Sequence, residues 1–319
     1  MLWREIQRKN FIHREKLVDF LELTPSQREE VLSRPKFPLN LPWRLAEKIE
    51  KSTLEDPILQ QFLPLVKEIE QSSGFVLDPV GDDLSRKCGK LIHKYEGRVL
   101  LVCSSACAMH CRYCFRQNFD YEVKEKGFEN ELEMISQDSS IREVILSGGD
   151  PLSLSNDVLR DLLQRIDEIS HIKRIRFHSR FPIGIPERID EEFQYILKNL
   201  QTQVWFVLHC NHPRELDTEV ISRLQTLQKS GVVLLNQAVL LRGVNDTVEA
   251  QKELCETLVD QGILPYYLHQ LDRVKGAAHF EVPEEEGLRL IRKLSSQLSG
   301  YAVPKYVREI AGEESKTPI

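Results

Sequence analysis

The chain has 319 residues, of which 41% are hydrophobic and 29% are charged, and its formal net charge is −6 at pH 7. This composition is typical of a globular protein large enough for one barrel and a smaller region. The acidic balance argues against binding to nucleic acid or a membrane surface, and no apolar run reaches the roughly 18 residues of a membrane span. An odd cysteine count and a polar N-terminus without the apolar core of a signal peptide predict a cytoplasmic protein.

Residues 1–93 have the pattern of an N-terminal, mainly helical region. The segment Thr24–Gln27 matches a capping box with proline at the first helical position, and predicts a helix that runs toward Leu32. A second helix is predicted from Ile58 to Glu70. Pro35, Pro38 and Pro42 interrupt the chain between these two helices.

From residue 94 onward, short β-rich runs alternate with amphipathic helical stretches. The predicted strands are Arg98–Cys103, Glu143–Leu146, Lys173–His178, Gln203–His209, Val232–Val239 and Pro265–Leu268. The predicted helices between them include Asn156–Ile169, Glu187–Leu200, Glu215–Lys229 and Thr247–Gln261.

Strands that alternate with helices predict parallel β/α units with right-handed crossovers. Six such units indicate an α/β fold, an incomplete (β/α)6 barrel, over residues 94–300, followed by a C-terminal segment over residues 301–319. A doubly wound dinucleotide-binding sheet is the alternative. It is disfavoured because no G-x-G-x-x-G pattern follows the first strand.

Three cysteines with the spacing C-x3-C-x2-C, Cys107, Cys111 and Cys114, follow the first predicted barrel strand. Three thiolates at this spacing can bind three irons of a [4Fe–4S] cluster and leave the fourth iron without a protein ligand. An open coordination position is typical of catalytic rather than structural metal sites, and suits the amino and carboxylate groups of S-adenosylmethionine. The alternative is a zinc knuckle that uses the three cysteines and His110.

Polar residues follow each of the other predicted strands, at the end of a barrel where active sites lie. Ser147, Gly148, Gly149 and Asp150 follow the second strand; the glycines allow a close backbone approach, and the carboxylate can hold an ammonium group. The remaining members of this ring are His178, Ser179, Arg180, His209, Asn211, His212, Asn236, Gln237, His269, Gln270 and Asp272. The ring predicts one shared site.

Several charged residues outside the cysteine loop have two interpretations from the sequence alone. Lys316 can form a Schiff base with an aldehyde cofactor such as pyridoxal phosphate, or it is a solvated lysine of a tail. Tyr95 and Arg98 can stack on a ring and bind a phosphate, or they belong to a solvated helix end. Arg116 suits a carboxylate and Asp272 an ammonium, with surface ion pairs as the alternative.

Taken together, these motifs closely resemble the lysine 2,3-aminomutase family of radical S-adenosylmethionine (SAM) enzymes, from about Asp56 to the C-terminus. The resemblance is greatest to the branch that makes (R)-β-lysine for elongation factor P. It rests on segments that include DPILQQFLP, HKYEGRVLLV, CAMHCRYCFRQNF, SGGDPL, IRFHSRFPIGIPERI, HCNHPRE, LLNQAVLLRGVND, PYYLHQLDRVKGAAHF, SGYAVPKYVREIAG and SKTP.

The resemblance implies an isomerase that converts L-α-lysine to (R)-β-lysine with a [4Fe–4S] cluster, SAM and pyridoxal phosphate. It also implies a functional link to the lysyl ligase of elongation factor P. The alternatives are a 2,3-aminomutase for free lysine metabolism or for glutamate. A zinc-stabilised binding module is the alternative from a different class.

The resemblance further implies a role for each site residue. Cluster binding falls to Cys107, Cys111 and Cys114, and SAM binding to Ser147, Gly148, Gly149, Asp150, His209 and Gln237. Pyridoxal phosphate binding falls to Lys316, Tyr95 and Arg98, and lysine binding to Arg116, Asp272 and Glu309.

Two departures from the clostridial members of the family bear on these roles. Glu309 replaces an aspartate seven residues before the pyridoxal phosphate lysine, and its longer side chain affects the tightness of substrate binding but not the sign of the charge. The sequence ends three residues after Lys316, without the zinc-binding cysteines of the clostridial extension. We therefore expect no structural zinc, and a homodimer, if one forms, that is built differently.

Overall fold

The computed structural model describes residues 2–121 and 127–319. Within them, one sheet of ten strands has the same order in space as along the chain. The strands are β1 (Arg86–Cys88), β2 (Leu91–Tyr95), β3 (Arg98–Ser104), β4 (Glu143–Gly148), β5 (Arg174–Ser179), β6 (Gln203–His209), β7 (Val233–Val239), β8 (Leu264–His269), β9 (Lys305–Arg308) and β10 (Thr317–Pro318).

Helices precede this sheet and connect most of its strands. They are α1 (Trp3–Gln7), α2 (Arg14–Phe20), α3 (Pro25–Glu29), α4 (Trp43–Glu47), α5 (Pro57–Gln60), α6 (Glu129–Gln137), α7 (Asn156–Asp167), α8 (Phe181–Gly184), α9 (Glu191–Lys198), α10 (Thr218–Lys229), α11 (Val248–Asp260) and α12 (Glu284–Ser295). None of the helices described is long and apolar enough to cross a membrane.

Strands β3 to β9 pair in parallel, each joined to the next by at least one helix. The six predicted strands are β3 to β8, and their order confirms the incomplete barrel. The structure adds a short seventh parallel strand, β9, together with antiparallel pairs of β1 with β2, β2 with β3 and β9 with β10. The division of the chain near residue 93 stays a proposal, and that residue lies within β2.

Alternation along the strands separates the core from the cavity. In β5, Phe177 is fully buried and packs edge-on against Phe193 of α9, with 5.8 Å between ring centroids. Because successive strand side chains point to opposite faces, its neighbours Arg176 and His178 face the inside of the barrel. Burial of one such phenylalanine stabilises the fold by roughly 1.5–3 kcal/mol.

The N-terminal region shares its core with the barrel. A single hydrophobic cluster runs from Trp3 to Ile263, and the Trp3 ring meets Phe181 edge-on at 5.4 Å. The capping box is confirmed, because the Thr24 side chain accepts from the Gln27 backbone N–H. The helix it begins, α3, ends at Glu29 and so is shorter than predicted.

The long helix predicted from Ile58 to Glu70 is wrong. The structure has the four-residue α5 and then a 3-10 helix, Val66–Ile69, with Pro64 between them. Proline lacks a backbone donor and its ring clashes with the carbonyl four residues earlier, so it interrupts a helix. Phe62 is fully buried and lies in the irregular segment between α5 and the 3-10 helix.

Candidate active site

One cavity of about 840 Å³ opens inside the partial barrel. Three members of the predicted polar ring, His212, Asn236 and Gln270, are not among its lining residues. All the residues to which the sequence assigns a cluster, SAM, pyridoxal phosphate or lysine role border it. These residues are Tyr95, Arg98, Cys107, Cys111, Cys114, Arg116, Ser147, Gly148, Gly149, Asp150, His209, Gln237, Asp272, Glu309 and Lys316. The three cysteines form what we call the cysteine end of the cavity, and Lys316 with Glu309 the lysine end.

Amide side chains from the N-terminal region hold the backbone of the cysteine loop. Asn40 donates from Nδ2 to the Cys107 carbonyl at 3.2 Å, and Asn10 donates to the Ala108 carbonyl at 2.7 Å. The backbone N–H of His110 donates in turn to the backbone carbonyl of Asn40 at 2.9 Å. The sequence does not predict these contacts, because Asn10 and Asn40 lie far from the cysteine loop along the chain and no motif spacing links them to it.

The His110 imidazole is engaged by the N-terminal region. Its Nδ1 lies 2.8 Å from the Pro38 carbonyl oxygen and its ring stacks on Phe37 at 4.7 Å. Across residues 2–121 and 127–319, no three His, Cys, Asp or Glu side chains are arranged to hold a single metal ion. A [4Fe–4S] cluster is larger than one ion because sulfides bridge its irons, so its three thiolates lie further apart.

Burial makes the thiolate form of these cysteines costly unless a cation binds them. Burial raises the pKa of Cys107 well above its ordinary value, and the neighbouring acid and thiols add to the effect. Burial likewise raises the pKa of Cys114 to about 12, with Cys111 contributing. Iron would offset this cost, since it binds thiolates and displaces their protons. The donor set therefore fits a cluster with three protein ligands.

The glycines of the loop after β4 allow contact with the cysteine loop. A Cβ on Gly149 would lie 2.4 Å from the Ala106 carbonyl oxygen, and one on Gly148 would lie 2.8 Å from the Ser104 carbonyl oxygen. Gly148 also has φ of +118°, which side-chain-bearing residues rarely adopt. The sequence interpretation assigned this closeness to a ligand, whereas the structure assigns it to a neighbouring backbone.

The Asp150 carboxylate binds protein groups. It accepts from the backbone N–H groups of Leu152, Arg180 and Phe181 and from the Ser179 hydroxyl. Burial raises its pKa to about 6 despite these bonds. The carboxylate thus ties the loop after β4 to the loop after β5. Its contact with the SAM ammonium stays a prediction.

Imidazoles line the middle of the cavity in their neutral form. Removal from water lowers the pKa of His209 to about 3, and it lowers the pKa of His178 and His269 well below the usual value. The Gln237 amide contacts His209 Nε2. Neutral imidazoles can each donate one hydrogen bond to a polar ligand without adding charge.

Buried polar atoms without a protein partner lie on the same wall of the cavity, where a polar ligand could bind them. Within the described residues, four buried cavity-lining atoms have no protein partner: Arg176 Nε, His178 Nε2, Arg180 Nε and His269 Nε2. A buried polar group without a partner is costly, so a ligand that bonds to these atoms is favoured. The wall between the two ends of the cavity therefore fits polar cofactors.

The lysine end is an ionic network at the edge of the sheet. Pairing of β10 with β9 places Thr317 opposite Arg308, and this brings Lys316 to Glu309, with 2.6 Å between Nζ and Oε2. The Tyr95 hydroxyl donates to the other Glu309 oxygen, also at 2.6 Å. Although burial alone would raise it, the Lys316 ammonium holds the pKa of Glu309 below its ordinary value.

Two further groups at this end match the pyridoxal phosphate prediction. The Arg98 guanidinium lies 4.5 Å from the centre of the Tyr95 ring. Lys316 keeps a quarter of its side chain exposed, and it borders the cavity. An accessible amine near an aromatic face and a fixed cation fits an aldehyde cofactor with a phosphate group.

Asp272 occupies the cavity wall near both charged residues of the lysine end. Removal from water raises its pKa to about 7, Lys316 lowers it, and Glu309 raises it further. The group therefore changes charge near neutral pH, as a carboxyl does when no cation fully compensates it.

Arg116 has a partner that the sequence analysis missed. Its Nε donates to Asp82 at 2.7 Å and its Nη1 donates to the Ser147 hydroxyl at 3.2 Å. Lys94 Nζ lies 2.7 Å from the other Asp82 oxygen. Although burial alone would raise it, Arg116 and Lys94 hold the pKa of Asp82 below its ordinary value. Asp82 follows no predicted strand, so only its three-dimensional position identifies it.

Comparisons with known proteins agree with this geometry. Residues 95–227 match the model of a 4Fe-4S single cluster domain. The chain is 41% identical to an L-lysine 2,3-aminomutase of Haemophilus influenzae, over 91% of this chain and 86% of that protein. The L-lysine 2,3-aminomutases of Escherichia coli and Clostridium subterminale are 42% and 35% identical, over 89% and 99% of this chain and 83% and 77% of their own lengths.

The fold has a counterpart among solved structures. A radical SAM methyltransferase from Sphaerobacter thermophilus superposes with a TM-score of 0.50 at 16% identity, over 68% of each chain. At this identity the likeness concerns the fold alone, and it agrees with a partial radical SAM barrel. The sequence identities above and the match to the 4Fe-4S domain lead to one conclusion: the chain belongs to the lysine 2,3-aminomutase family of radical SAM enzymes, whose cofactors are a [4Fe–4S] cluster, SAM and pyridoxal phosphate.

Proposed function

We propose that this protein is a cytoplasmic L-lysine 2,3-aminomutase that converts L-α-lysine to (R)-β-lysine. The observation that carries the proposal is that one cavity has three cysteines at one end and Lys316 beside two carboxyl groups at the other. The activity of the relatives from three bacteria supports the reaction and its substrate.

The cysteine end would hold the cluster and SAM. Cys107, Cys111 and Cys114 would provide three thiolates to the cluster, which would leave one iron open to the amino and carboxylate groups of SAM. His209 and Gln237 would contact SAM from the neighbouring strands β6 and β7. When bound, the cluster and SAM supply a carbon-centred radical, and pyridoxal phosphate supplies the conjugated system through which the amino nitrogen migrates.

The lysine end would bind the aldehyde cofactor and orient the substrate. Lys316 Nζ would attach to the aldehyde cofactor, and Tyr95 and Arg98 would bind its ring and its phosphate. Glu309 pairs with Lys316, with 2.6 Å between Oε2 and Nζ, and would bind the substrate ammonium when Lys316 is attached to the cofactor. The enclosed wall excludes water from the reacting carbon.

Charge at the lysine end favours lysine over glutamate as the substrate. Asp272 and Glu309 are carboxyl groups within the same network, and a second carboxylate on the substrate would be repelled by them. An ammonium on the substrate would instead lower the pKa of Asp272 and pair with it. Arg116, whose direction is fixed by Asp82, would bind the α-carboxylate that both amino acids share.

The test is an anaerobic competition assay. The reconstituted protein is incubated with SAM, pyridoxal phosphate, dithionite and equal amounts of L-lysine and L-glutamate, and β-amino acids are resolved by chiral chromatography with mass detection. We expect (R)-β-lysine and no β-glutamate. Formation of 5′-deoxyadenosine without β-lysine would contradict the substrate while leaving a radical enzyme. No product and no 5′-deoxyadenosine would contradict the proposal as a whole.

The destination of the product is a finer part of the proposal. We propose that β-lysine is transferred to elongation factor P by its lysyl ligase, as the motif resemblance implies. The test incubates the enzymatic product with ATP, purified elongation factor P and the ligase, and follows the intact mass of elongation factor P. Synthetic (S)-β-lysine is the matched control. Absence of a mass increase with the enzymatic product would instead favour free lysine metabolism.

A further inference from the structure

Arg180 contacts a predicted cluster ligand directly. It follows β5 and only 5% of its surface is exposed. Its Nη1 donates to the Cys111 Sγ at 2.9 Å and to the Tyr113 hydroxyl at 2.5 Å. Its Nη2 donates to Glu215 at 2.8 Å and to the Gln61 side-chain oxygen at 2.6 Å. Four partners on three separate segments therefore define the direction of the guanidinium.

The counter-ion of Arg180 is just as firmly held. Glu215 is fully buried, and its second carboxylate oxygen accepts from the backbone N–H groups of Asn211 and His212 and from the Gln61 amide. A guanidinium keeps its proton at all physiological pH values. Arg180 is thus a fixed positive group in contact with the Cys111 sulfur, and Glu215 is a fixed negative group that pairs with Arg180.

Such a pair bears on the electron that the cluster takes up. Hydrogen bonds to the ligating sulfurs and nearby charges set the reduction potential of an iron–sulfur cluster. Reduction adds one electron, so it makes the cluster and its thiolates more negative. A positive donor at the sulfur stabilises that reduced state, and burial strengthens the effect because the local dielectric is low.

We propose that Arg180 is a positioning residue that raises the reduction potential of the cluster through its hydrogen bond to Cys111 Sγ, with Glu215 limiting the rise. This inference rests on the cluster-binding part of the proposed function, and it is independent of which amino acid is rearranged. It also gives a role to Gln61, which links the ion pair to the N-terminal region.

The test measures the midpoint potential of the reconstituted cluster, without SAM, pyridoxal phosphate or lysine. The full-length protein is titrated anaerobically with dithionite and mediators, and the reduced cluster is counted by electron paramagnetic resonance. In Arg180→Met the ratio of reduced to oxidised cluster at a fixed solution potential should fall at least about tenfold, which is about 59 mV for one electron. Arg180→Lys keeps the charge and should restore at least half of that shift.

Two other variants should respectively raise the reduced fraction of the cluster and leave it unchanged. Glu215→Gln leaves the guanidinium charge uncompensated, so the reduced fraction should rise. Arg188 is a similarly buried arginine that donates to the Leu152 and Leu154 carbonyls, away from the thiols. Arg188→Met should leave the midpoint potential unchanged, which makes it the control for the loss of a buried cation.

The outcomes separate cleanly. An intact cluster in Arg180→Met with an unchanged midpoint potential would overturn the inference. A raised potential would overturn it as well, because it would mean that exposure of the cluster to water outweighs the hydrogen bond from Arg180. If Arg180→Met assembles no cluster, Glu215→Gln decides: a rise supports the inference and no rise overturns it. A cluster that assembles equally well in Cys111→Ala would overturn the ligand assignment, and the inference with it.

Discussion

The two ends of the cavity are held in place by different forces. At the cysteine end, the uncharged side chains of Asn10 and Asn40 donate to loop carbonyls, and Gly149 lets one loop pack closely on another. At the lysine end, Lys316 and Glu309 form an ion pair within a network of alternating charges. The loop backbone at the cysteine end is held by neutral hydrogen bonds and close packing, with the buried Arg180–Glu215 pair at Cys111 as a fixed charge pair. The lysine end is instead a network of charges that border the cavity.

This difference matches what each end must do. Three sulfurs must keep fixed positions around a cluster, and neutral hydrogen bonds to the backbone are insensitive to pH and salt. The lysine end must exchange partners as cofactor and substrate arrive, and ion pairs respond to each added charge. Variants at the two ends should therefore fail in different assays.

The largest expected effect comes from Lys316→Ala at the lysine end. Without the amine that attaches to the aldehyde cofactor, formation of β-lysine should fall below about one thousandth of the wild-type rate. The visible absorbance of the cluster should be unchanged, because no group at the cysteine end is altered. Product chromatography and absorbance spectra of the reconstituted protein measure the two effects.

A second lysine serves as the control for Lys316→Ala. Lys173 donates to the Ser170 carbonyl on the surface, and Lys173→Ala should keep the wild-type rate. Retention of mutase activity in Lys316→Ala would refute the role of Lys316. Loss of the cluster in that variant would refute the separation of the two ends.

The next largest effect is the pH dependence of lysine binding at Asp272. Its pKa is about 7 because of burial, so the group is neutral below that pH and negative above it. The wild-type KM for lysine should therefore fall as pH rises through about 7. Asp272→Asn should raise KM by roughly 10- to 100-fold and should remove this pH dependence. A variant KM that still varies with pH would point to another group.

The same substitution should stabilise the fold in alkaline solution. The folded pKa of Asp272 is raised above its unfolded value, so the folded state binds more protons and its stability falls as pH rises from about 4 to 7. Asp272→Asn removes this loss and should raise Tm by roughly 2–4 °C at about pH 8, with no gain at about pH 4. Thermal unfolding at the two pH values measures the difference.

Much of the barrel follows from sequence periodicity. Gln203–His209 is predicted and observed with identical bounds, because a run of apolar residues ending in a polar one matches a buried parallel strand. The ring of polar residues after each strand predicts a shared site, since parallel strands place their carboxyl ends together. The gathering of most of these residues around one cavity is thus implied by topology, whereas His212, Asn236 and Gln270 do not line it.

Other features depend on contacts that no local pattern encodes. The strand Thr317–Pro318 is too short for periodicity, yet its pairing with β9 brings Lys316 to Glu309. Asp82 lies on an irregular segment, and only folding places it against Arg116. The helix predicted from Ile58 is wrong because Pro64 interrupts it.

A substitution at Gly149 tests the close packing of the two loops at the cysteine end. In Gly149→Ala the new Cβ would lie 2.4 Å from a backbone oxygen, so the two loops must separate. We expect a loss of roughly 1–3 kcal/mol of stability and a lower iron content, while binding of pyridoxal phosphate is retained. Chemical denaturation, iron analysis and the absorbance of bound pyridoxal phosphate measure these effects. Gly300→Ala is the control, since a methyl group at that position would meet no atom within 4 Å.

Asn10→Ala should give the smallest effect and the most selective one. The substitution removes a buried donor to the Ala108 carbonyl, at a cost of roughly 1–2 kcal/mol. The same amide also donates to Asn40, which itself holds the cysteine loop, so the cluster should be lost to a chelator several times faster, with no change in pyridoxal phosphate affinity. Asn199→Ala, which removes an exposed bond to the Tyr195 carbonyl, should leave both properties unchanged. Equal weakening of both ends by Asn10→Ala would mean that the cavity responds as one unit, and the contrast between its two ends would then be wrong.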